Sequence, residues 1–404
     1  MRYWTVGSVG AALIAAIAAA WGCGSGGGGS GGAATGGTGA ATGGTGAATG
    51  GTGAATGGTG AGGDGSATHG AACTVEARGL EVSRGGGTTP AITWTGAGFA
   101  VAWQERGADE GDIHLAALDA DGNRVREEVI DGGPNVSSHP SVHRDGEGLL
   151  VLWQDRDGAG SVVRGRRATL AGAPEGSAFD VGQSGAPEAW PLGAASQDGV
   201  VVAWMDTRGS QLKLLGGGAP NSAMPVDQAR FPAVAAGDAS TALAWAQGDA
   251  IGFARLDPES PAIDPILHQG VAAQLTRVAL GGDDTFIVWE DTRSGTEQIR
   301  AIRISAQSEV SREALVSDGG GSANWPAPAW TGSGLAVAYY QFRERYPSVI
   351  VTFLSPDLTP TGIDLEVSEQ AHARFPALAW TGRELGVAYA EKDRGVRLSR
   401  VRCR

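Results

Sequence analysis

Thr89-Pro90-Ala91-Ile92-Thr93-Trp94-Thr95-Gly96 returns, little altered, as Trp325-Pro326-Ala327-Pro328-Ala329-Trp330-Thr331-Gly332 and again as Phe375-Pro376-Ala377-Leu378-Ala379-Trp380-Thr381-Gly382. Each copy leads into a short apolar run closed by an aromatic residue: Phe99-Ala100-Val101-Ala102-Trp103, then runs ending at Tyr339 and Tyr389. Weaker copies begin at Pro140, Pro191, Pro232 and Thr276, and their apolar runs end at Trp153, Trp204, Trp245 and Trp289. Seven units therefore start at 90, 140, 191, 232, 276, 326 and 376, spaced 41 to 51 residues apart.

Within a unit the pattern is that of strands. The Pro-Ala-x-Ala segment is the first strand and the run ending in Trp or Tyr is the second. An alternating segment such as Ile299-Arg300-Ala301-Ile302-Arg303 is the third, and a short run such as Leu365-Glu366-Val367 is the fourth. Gly, Asp, Asn and Ser fall between them, as turns require. Asp119-Ala120-Asp121-Gly122-Asn123 is one such turn; it has a faint look of a calcium loop, but Ile130 stands where a closing acid would be needed. A period near 45 residues, all strand, is the length of one four-stranded propeller blade. The expected fold is all-β, a seven-bladed β-propeller of antiparallel blades spanning residues 73–404.

The last unit ends at Arg404 without a fourth strand, and the chain carries a spare one at its other end. Gly79-Leu80-Glu81-Val82-Ser83 precedes the first unit and matches Asp364-Leu365-Glu366-Val367-Ser368. Completing the last blade with the N-terminal strand would close the ring and remove a free sheet edge. Of the three cysteines, Cys73 lies just before this strand and Cys403 just after the last one. A disulfide between them would fit an oxidising compartment; a two-cysteine metal site is the rival, without further ligands nearby.

The rest of the chain is of another kind. Residues 24–72 are almost only Gly, Ala, Thr and Ser, with Thr-Gly-Gly-Thr-Gly-Ala-Ala recurring, and supply much of the chain's 68 glycines. Such a stretch has nothing to bury and reads as a flexible tether spanning roughly 35–42 Å; a glycine-rich structural repeat is the alternative. Ahead of it, residues 1–22 hold Arg2, an apolar run from Val9 to Ala20, and Ala19-Ala20-Trp21-Gly22-Cys23. The run reads as a signal peptide rather than a membrane span. Its end resembles the lipobox of bacterial lipoproteins, although Ala20 and Trp21 depart from the usual pattern. The resemblance implies cleavage before Cys23, a lipid on that residue, and, from Gly24, sorting to the outer membrane. An ordinary signal peptide with an incidental cysteine is the other reading.

After the second-strand aromatic comes a further motif, clearest in Trp204-Met205-Asp206-Thr207-Arg208-Gly209 and Trp289-Glu290-Asp291-Thr292-Arg293-Ser294-Gly295 and shorter at Trp153-Gln154-Asp155-Arg156. Over residues 74–403 the chain resembles secreted bacterial β-propellers with Trp-x-Asp-x-Arg-x-Gly blade repeats. That resemblance specifies the fold and is nearly silent on function. The motif acid and arginine are expected to pair across the turn, since a catalytic acid is needed once and not in most blades.

A formal charge of −13 argues against nucleic acid and anionic membrane surfaces as partners. Six scattered histidines give no metal site, and no phosphate loop or Ser-His-Asp arrangement suggests a cofactor or a nucleophile. A sialidase-like glycoside hydrolase shares the propeller shape, but its Ser-x-Asp-x-Gly-x-x-Trp box is not matched. The residues before each first-strand proline should ring the central channel: Thr89, His139, Trp190, Phe231, Leu275, Trp325 and Phe375, with Arg230 and Arg374 beside two of them. His139, Trp190, Arg230, Phe231, Trp325, Arg374 and Phe375 are the candidate ligand face, able to grip a sugar, peptide or aromatic group; the competing reading is that these rings only pack blade on blade. The expectation is a monomeric, extracytoplasmic binding module, held to the membrane by its N-terminal lipid and engaging a surface protein or glycan. A surface-polysaccharide hydrolase and an envelope scaffold are the alternatives.

Overall fold

A computed structural model describes residues 73–403, apart from 107–110, 159, 197–198, 216–223, 238–240, 257–264, 344 and 371. Cys23, the expected signal peptide and the expected tether lie outside the described residues.

The described residues form seven four-stranded antiparallel sheets and contain no helix. The first blade is β2 (Thr88–Trp94), β3 (Gly98–Arg106), β4 (Gly111–Asp119) and β5 (Arg124–Asp131), paired in chain order. The same order repeats through the next five blades, whose innermost strands are β6 (Val136–Asp145), β10 (Leu192–Ser196), β14 (Arg230–Ala236), β18 (Ala273–Gly281) and β22 (Ala323–Trp330). Each innermost strand touches the innermost strands of the blades before and after it, so these strands enclose the axis of a ring.

The seventh blade joins β26 (Ala373–Trp380), β27 (Glu384–Glu391) and β28 (Gly395–Cys403) to β1 (Cys73–Glu81) from the other end of the chain. The β1–β28 ladder sets Leu80 opposite Leu398 and Cys73 opposite Cys403, and the two cysteines are bonded. The expected closure is present, and no blade is left with three strands.

Two short motifs of the repeat have local causes. In Trp-Thr-Gly, the threonine hydroxyl donates to the carbonyl that closes the hairpin, at 2.9 Å for Thr95 to Gly98 and 2.9 Å for Thr331 to Gly334. The glycine takes φ of 97° at Gly96 and 88° at Gly332, a conformation other residues resist. In the Val-Ser pair that closes Glu81-Val82-Ser83, Leu315-Val316-Ser317 and Glu366-Val367-Ser368, the valine is buried between blades and the serine hydroxyl accepts a third-strand amide. Val396 N–H reaches Ser83 at 2.8 Å, Ile299 N–H reaches Ser317 at 3.1 Å and Val349 N–H reaches Ser368 at 3.1 Å. The N-terminal Val82-Ser83 thus does for the seventh blade what Val367-Ser368 does for the sixth.

The second-strand aromatics Trp103, Trp153, Trp204, Trp245, Trp289, Tyr339 and Tyr389 are all almost fully buried, among residues of adjacent sheets. Burying such a ring contributes about 2–3 kcal/mol. The residue two places on often caps it: Trp103 Nε1–H donates to Glu105 at 3.0 Å, Trp245 to Gln247 at 3.0 Å and Trp289 to Asp291 at 2.9 Å. The motif acid Asp291 is therefore an acceptor for a buried indole, whereas Trp204 Nε1–H donates to the Gln183 carbonyl at 3.2 Å and Asp155 and Asp206 do not cap their tryptophans. The expected pairing of acid and arginine holds for Asp291 and Arg293 at 2.8 Å. It does not hold in the second blade, where Asp155 meets Arg164 at 3.2 Å and Arg156 turns to Glu188. Arg164 lies on the neighbouring strand, opposite Trp153, and so reaches Asp155 without the tight turn that Arg293 needs.

Candidate functional site

All seven residues expected to ring the channel share one unusual backbone state. Thr89, His139, Trp190, Phe231, Leu275, Trp325 and Phe375 have φ between 45° and 60°, and none is glycine. In six blades the ladder between first and second strands slips by one residue there, as between Thr88 and Ala91 or between Asn324 and Ala327. The third blade keeps the same offset through Met205 N–H donating to Ala189 O at 2.7 Å. Each blade thus carries a bulge whose extra residue is left-handed. A non-glycine residue in that state costs roughly 1–2 kcal/mol, so its side chain must give something back.

The bulge also frees a backbone amide, and the preceding blade supplies the acceptor in two cases. Gln154 Oε1 accepts from Ala189 N–H at 2.7 Å and Trp190 N–H at 3.0 Å. Glu290 Oε2 accepts from Trp325 N–H at 3.4 Å. Both acceptors directly follow a second-strand tryptophan.

The bulges gather the rings at one end of the axis. His139 stacks on Trp190 at 4.6 Å, and Trp190 meets Phe231 at 5.9 Å. Trp325 meets Phe375 at 4.8 Å, and Trp190 and Trp325 approach to 5.3 Å although they belong to the third and sixth blades. That last contact crosses the axis. The rings therefore pack on one another across the hub as well as around it, while His139, Trp190, Phe231 and Trp325 remain partly exposed. Arg230 lies over Phe231 at 5.7 Å, and Arg374 is buried against Tyr340 and Phe342 at 5.8 and 5.3 Å. The two arginines flank the aromatic cluster and do not meet in one anion-binding group.

His139, Trp190, Phe231 and Trp325, with the first halves of the innermost strands, line a cavity of about 290 Å³; Phe375, Arg230 and Arg374 do not line it. Its walls are mostly proline, alanine, valine and leucine, with Ser141, His143 and Arg277 among the polar residues. His143 is buried and its Nε2 accepts Gly193 N–H at 3.1 Å; burial pushes it down to about 4, so it is a neutral wall residue. His139 Nδ1 lies 3.5 Å from Glu188 Oε2, and burial, opposed by that carboxylate, holds the ring below its ordinary value. Arg277 sits over Trp325 at 6.0 Å. On the same blade, burial pushes the Glu290 carboxyl up to about 7, with Glu297 adding to the effect and Trp325 N–H and Arg277 opposing it.

Arg277 and Glu290 were not among the residues the sequence singled out. Their signal is a break in the repeat. Where the fifth blade has Leu275-Thr276-Arg277, the other six have a proline followed by Ala91, Ser141, Leu192, Ala233, Ala327 or Ala377. Where it has Glu290, the others have Gln104, Gln154, Met205, Ala246, Tyr340 or Ala390. No group of His, Cys, Asp and Glu among the described residues is arranged to hold a metal ion.

No known family and no curated protein matches the sequence. Among solved structures the fold is similar to a polysaccharide lyase, an ulvan lyase bound to -[GlcA(1-4)Rha3S]-, at 9% identity and a TM-score of 0.50 over 80% of this chain and 94% of that one. It is similar also to the NanB sialidase of Streptococcus pneumoniae, at 9% identity and a TM-score of 0.42 over 81% and 69% of the two chains. The WD40 domain of SCAP from fission yeast gives 10% identity and a TM-score of 0.48 over 82% and 98%. At such identities the likeness is one of fold.

Proposed function

We propose that the chain is an extracytoplasmic, lipid-anchored binding module that holds a saccharide at the aromatic mouth of its propeller channel. The observation that carries this is the cluster of partly exposed His139, Trp190, Phe231 and Trp325 on left-handed bulges at the rim of a 290 Å³ cavity. Aromatic faces suit the apolar C–H faces of a sugar ring, and a cavity near this size suits one sugar unit. Strained backbone that aims side chains at a common point is typical of ligand sites. Anchoring by Cys23 and an envelope location rest on the N-terminal sequence; the Cys73–Cys403 bond is in keeping with an oxidising compartment.

The test is the paired substitution Trp190→Ala with Trp325→Ala, read by thermal unfolding and by binding to a glycan array. Lost glycan binding with a folded, cooperatively melting protein supports a site. A lower melting temperature with binding to the array unchanged reduces the rings to hub packing and favours the scaffold.

A second reading, glycoside hydrolysis, draws on Glu290, a buried carboxyl that holds its proton to about 7, as a general acid must. Release of reducing ends from an envelope polysaccharide, abolished by Glu290→Gln, would establish it.

A further inference from the structure

We infer that the channel mouth receives the carboxylate of an acidic saccharide, with Arg277 as the group that binds it; this rests on the saccharide reading above and names the class of sugar. The chain carries a net −13, yet among the described residues lining the cavity there is no aspartate or glutamate, and Arg277 is the one permanent charge. The two histidines of the wall are held below their ordinary values and are neutral near pH 7.

Arg277 is also poorly matched by its own protein. Its Nη1 donates to the Thr276 carbonyl at 2.9 Å, and the guanidinium lies over the Trp325 ring. Among the described residues it has no ion pair. Glu290 is near enough to favour the charge, but burial outweighs it and pushes Arg277 down to about 10, leaving it fully charged at neutral pH. A guanidinium has five donors in a planar fork, and only part of that capacity is used. A partly buried cation with open donors, facing a cavity, destabilises a fold that has no other need of it.

The repeat shows that the fold has no such need. Four blades place alanine at this position, and the remaining two have Ser141 and Leu192. The fifth blade forms the same left-handed bulge with Arg277 as four others do with alanine. A role in folding would recur from blade to blade; a role in binding is needed once. The planar fork matches the two oxygens of a carboxylate in one plane, and the Trp325 ring beside it, with Trp190 5.3 Å from that ring, offers an aromatic face to the sugar.

The experiment is calorimetric titration of the full chain with a tetragalacturonate and with its carboxyl-reduced counterpart, for the native protein and for Arg277→Ala and Arg277→Lys. The native protein is expected to prefer the acidic sugar at least tenfold. Arg277→Ala should remove the preference and melt no lower than the native protein, since it restores the residue of the other blades. Arg277→Lys should keep a weaker preference. Equal binding of both sugars by the native protein overturns the inference and leaves the aromatic mouth standing. Binding of neither overturns both. Inorganic sulfate displacing the bound tetragalacturonate as well as monomeric galacturonate does would replace the carboxylate by a tetrahedral anion and overturn the inference likewise. Should Arg277→Ala fail to fold, the presumption that the guanidinium is dispensable to the fold is wrong and the inference falls with it, unless Arg277→Gln folds and loses the preference.

Discussion

Replacing Glu290 by glutamine should change how stability depends on pH, by an amount that can be worked out. In the unfolded chain this carboxyl ionises near 4.5; in the folded protein, 4% exposed and beside Glu297 and Tyr340, it keeps its proton to about 7. Below 4.5 both states hold the proton and nothing is lost. Between 4.5 and 7 the unfolded chain gives up a proton that the fold retains, so stability falls as pH rises, and the loss is complete above 7. A gap of about 2.5 pH units corresponds to about 3 kcal/mol. Glutamine can still accept Trp325 N–H and carries no charge, so the E290Q variant escapes this loss. Taken over the roughly 300 described residues, the difference is about 5 °C in melting temperature. His143 works in the opposite sense. Its folded value of about 4, against 6.5 unfolded, gives stability that is present above 6.5 and lost as pH falls toward 4. Over the middle of this range the two effects offset one another in the native protein, and the variant should uncover the histidine's. The assay is calorimetric melting of both proteins from pH 4.5 to 8 with the disulfide intact. Carboxylates elsewhere contribute equally to both and drop out of the difference. A melting-temperature difference that stays constant across this range refutes the reasoning.

Two further outcomes follow from the closure and from the blade motif. Cys73→Ser should lower the melting temperature of the folded chain, with an upper limit of roughly 5–6 kcal/mol for so long a loop, and reductant should lower the native protein to the same point; no change would mean that the β1–β28 ladder holds alone. Asp291→Ala removes the acceptor of Trp289 Nε1–H and the partner of Arg293 from a site 1% exposed, and should cost about 3–5 kcal/mol in chemical unfolding, against less for the more exposed Arg293→Ala.

How much of this could be read without coordinates depends on whether a residue acts in every blade or in one. Trp103 and its six counterparts, the Thr95-Gly96 hairpin and the Val82-Ser83 pair act in most blades, so they recur and can be aligned by eye. Closure was legible for the same reason, since Leu80 to Ser83 is a copy of residues 365–368 found out of place. The ring from Thr89 to Phe375 was located by its proline, but its left-handed backbone left no trace in composition, because none of the seven is glycine. The contact between Trp190 and Trp325 depends on the diameter of the hub, which no local pattern encodes. Arg277 carries the opposite signal: it matters through being unlike its counterparts in the other blades, and so belongs to no recurring motif.

The seven left-handed residues bear on function more directly than any single contact. A chain selected for stability alone would place glycine at a bulge with φ near 50°, and gain roughly 1 kcal/mol at each. This one places Thr, His, Trp, Phe, Leu, Trp and Phe there. Hub packing accounts for some of that choice, since the rings touch across the axis and Leu275 and Phe375 are buried. It accounts less well for leaving His139, Trp190 and Trp325 partly exposed, and not at all for Arg277 beside them. Large rings that were needed only to fill the hub would bury better beside one another than beside a guanidinium that has no ion pair among the described residues. Rings and cation together, on a backbone held in strain, form a surface that gains more from a partner than from itself.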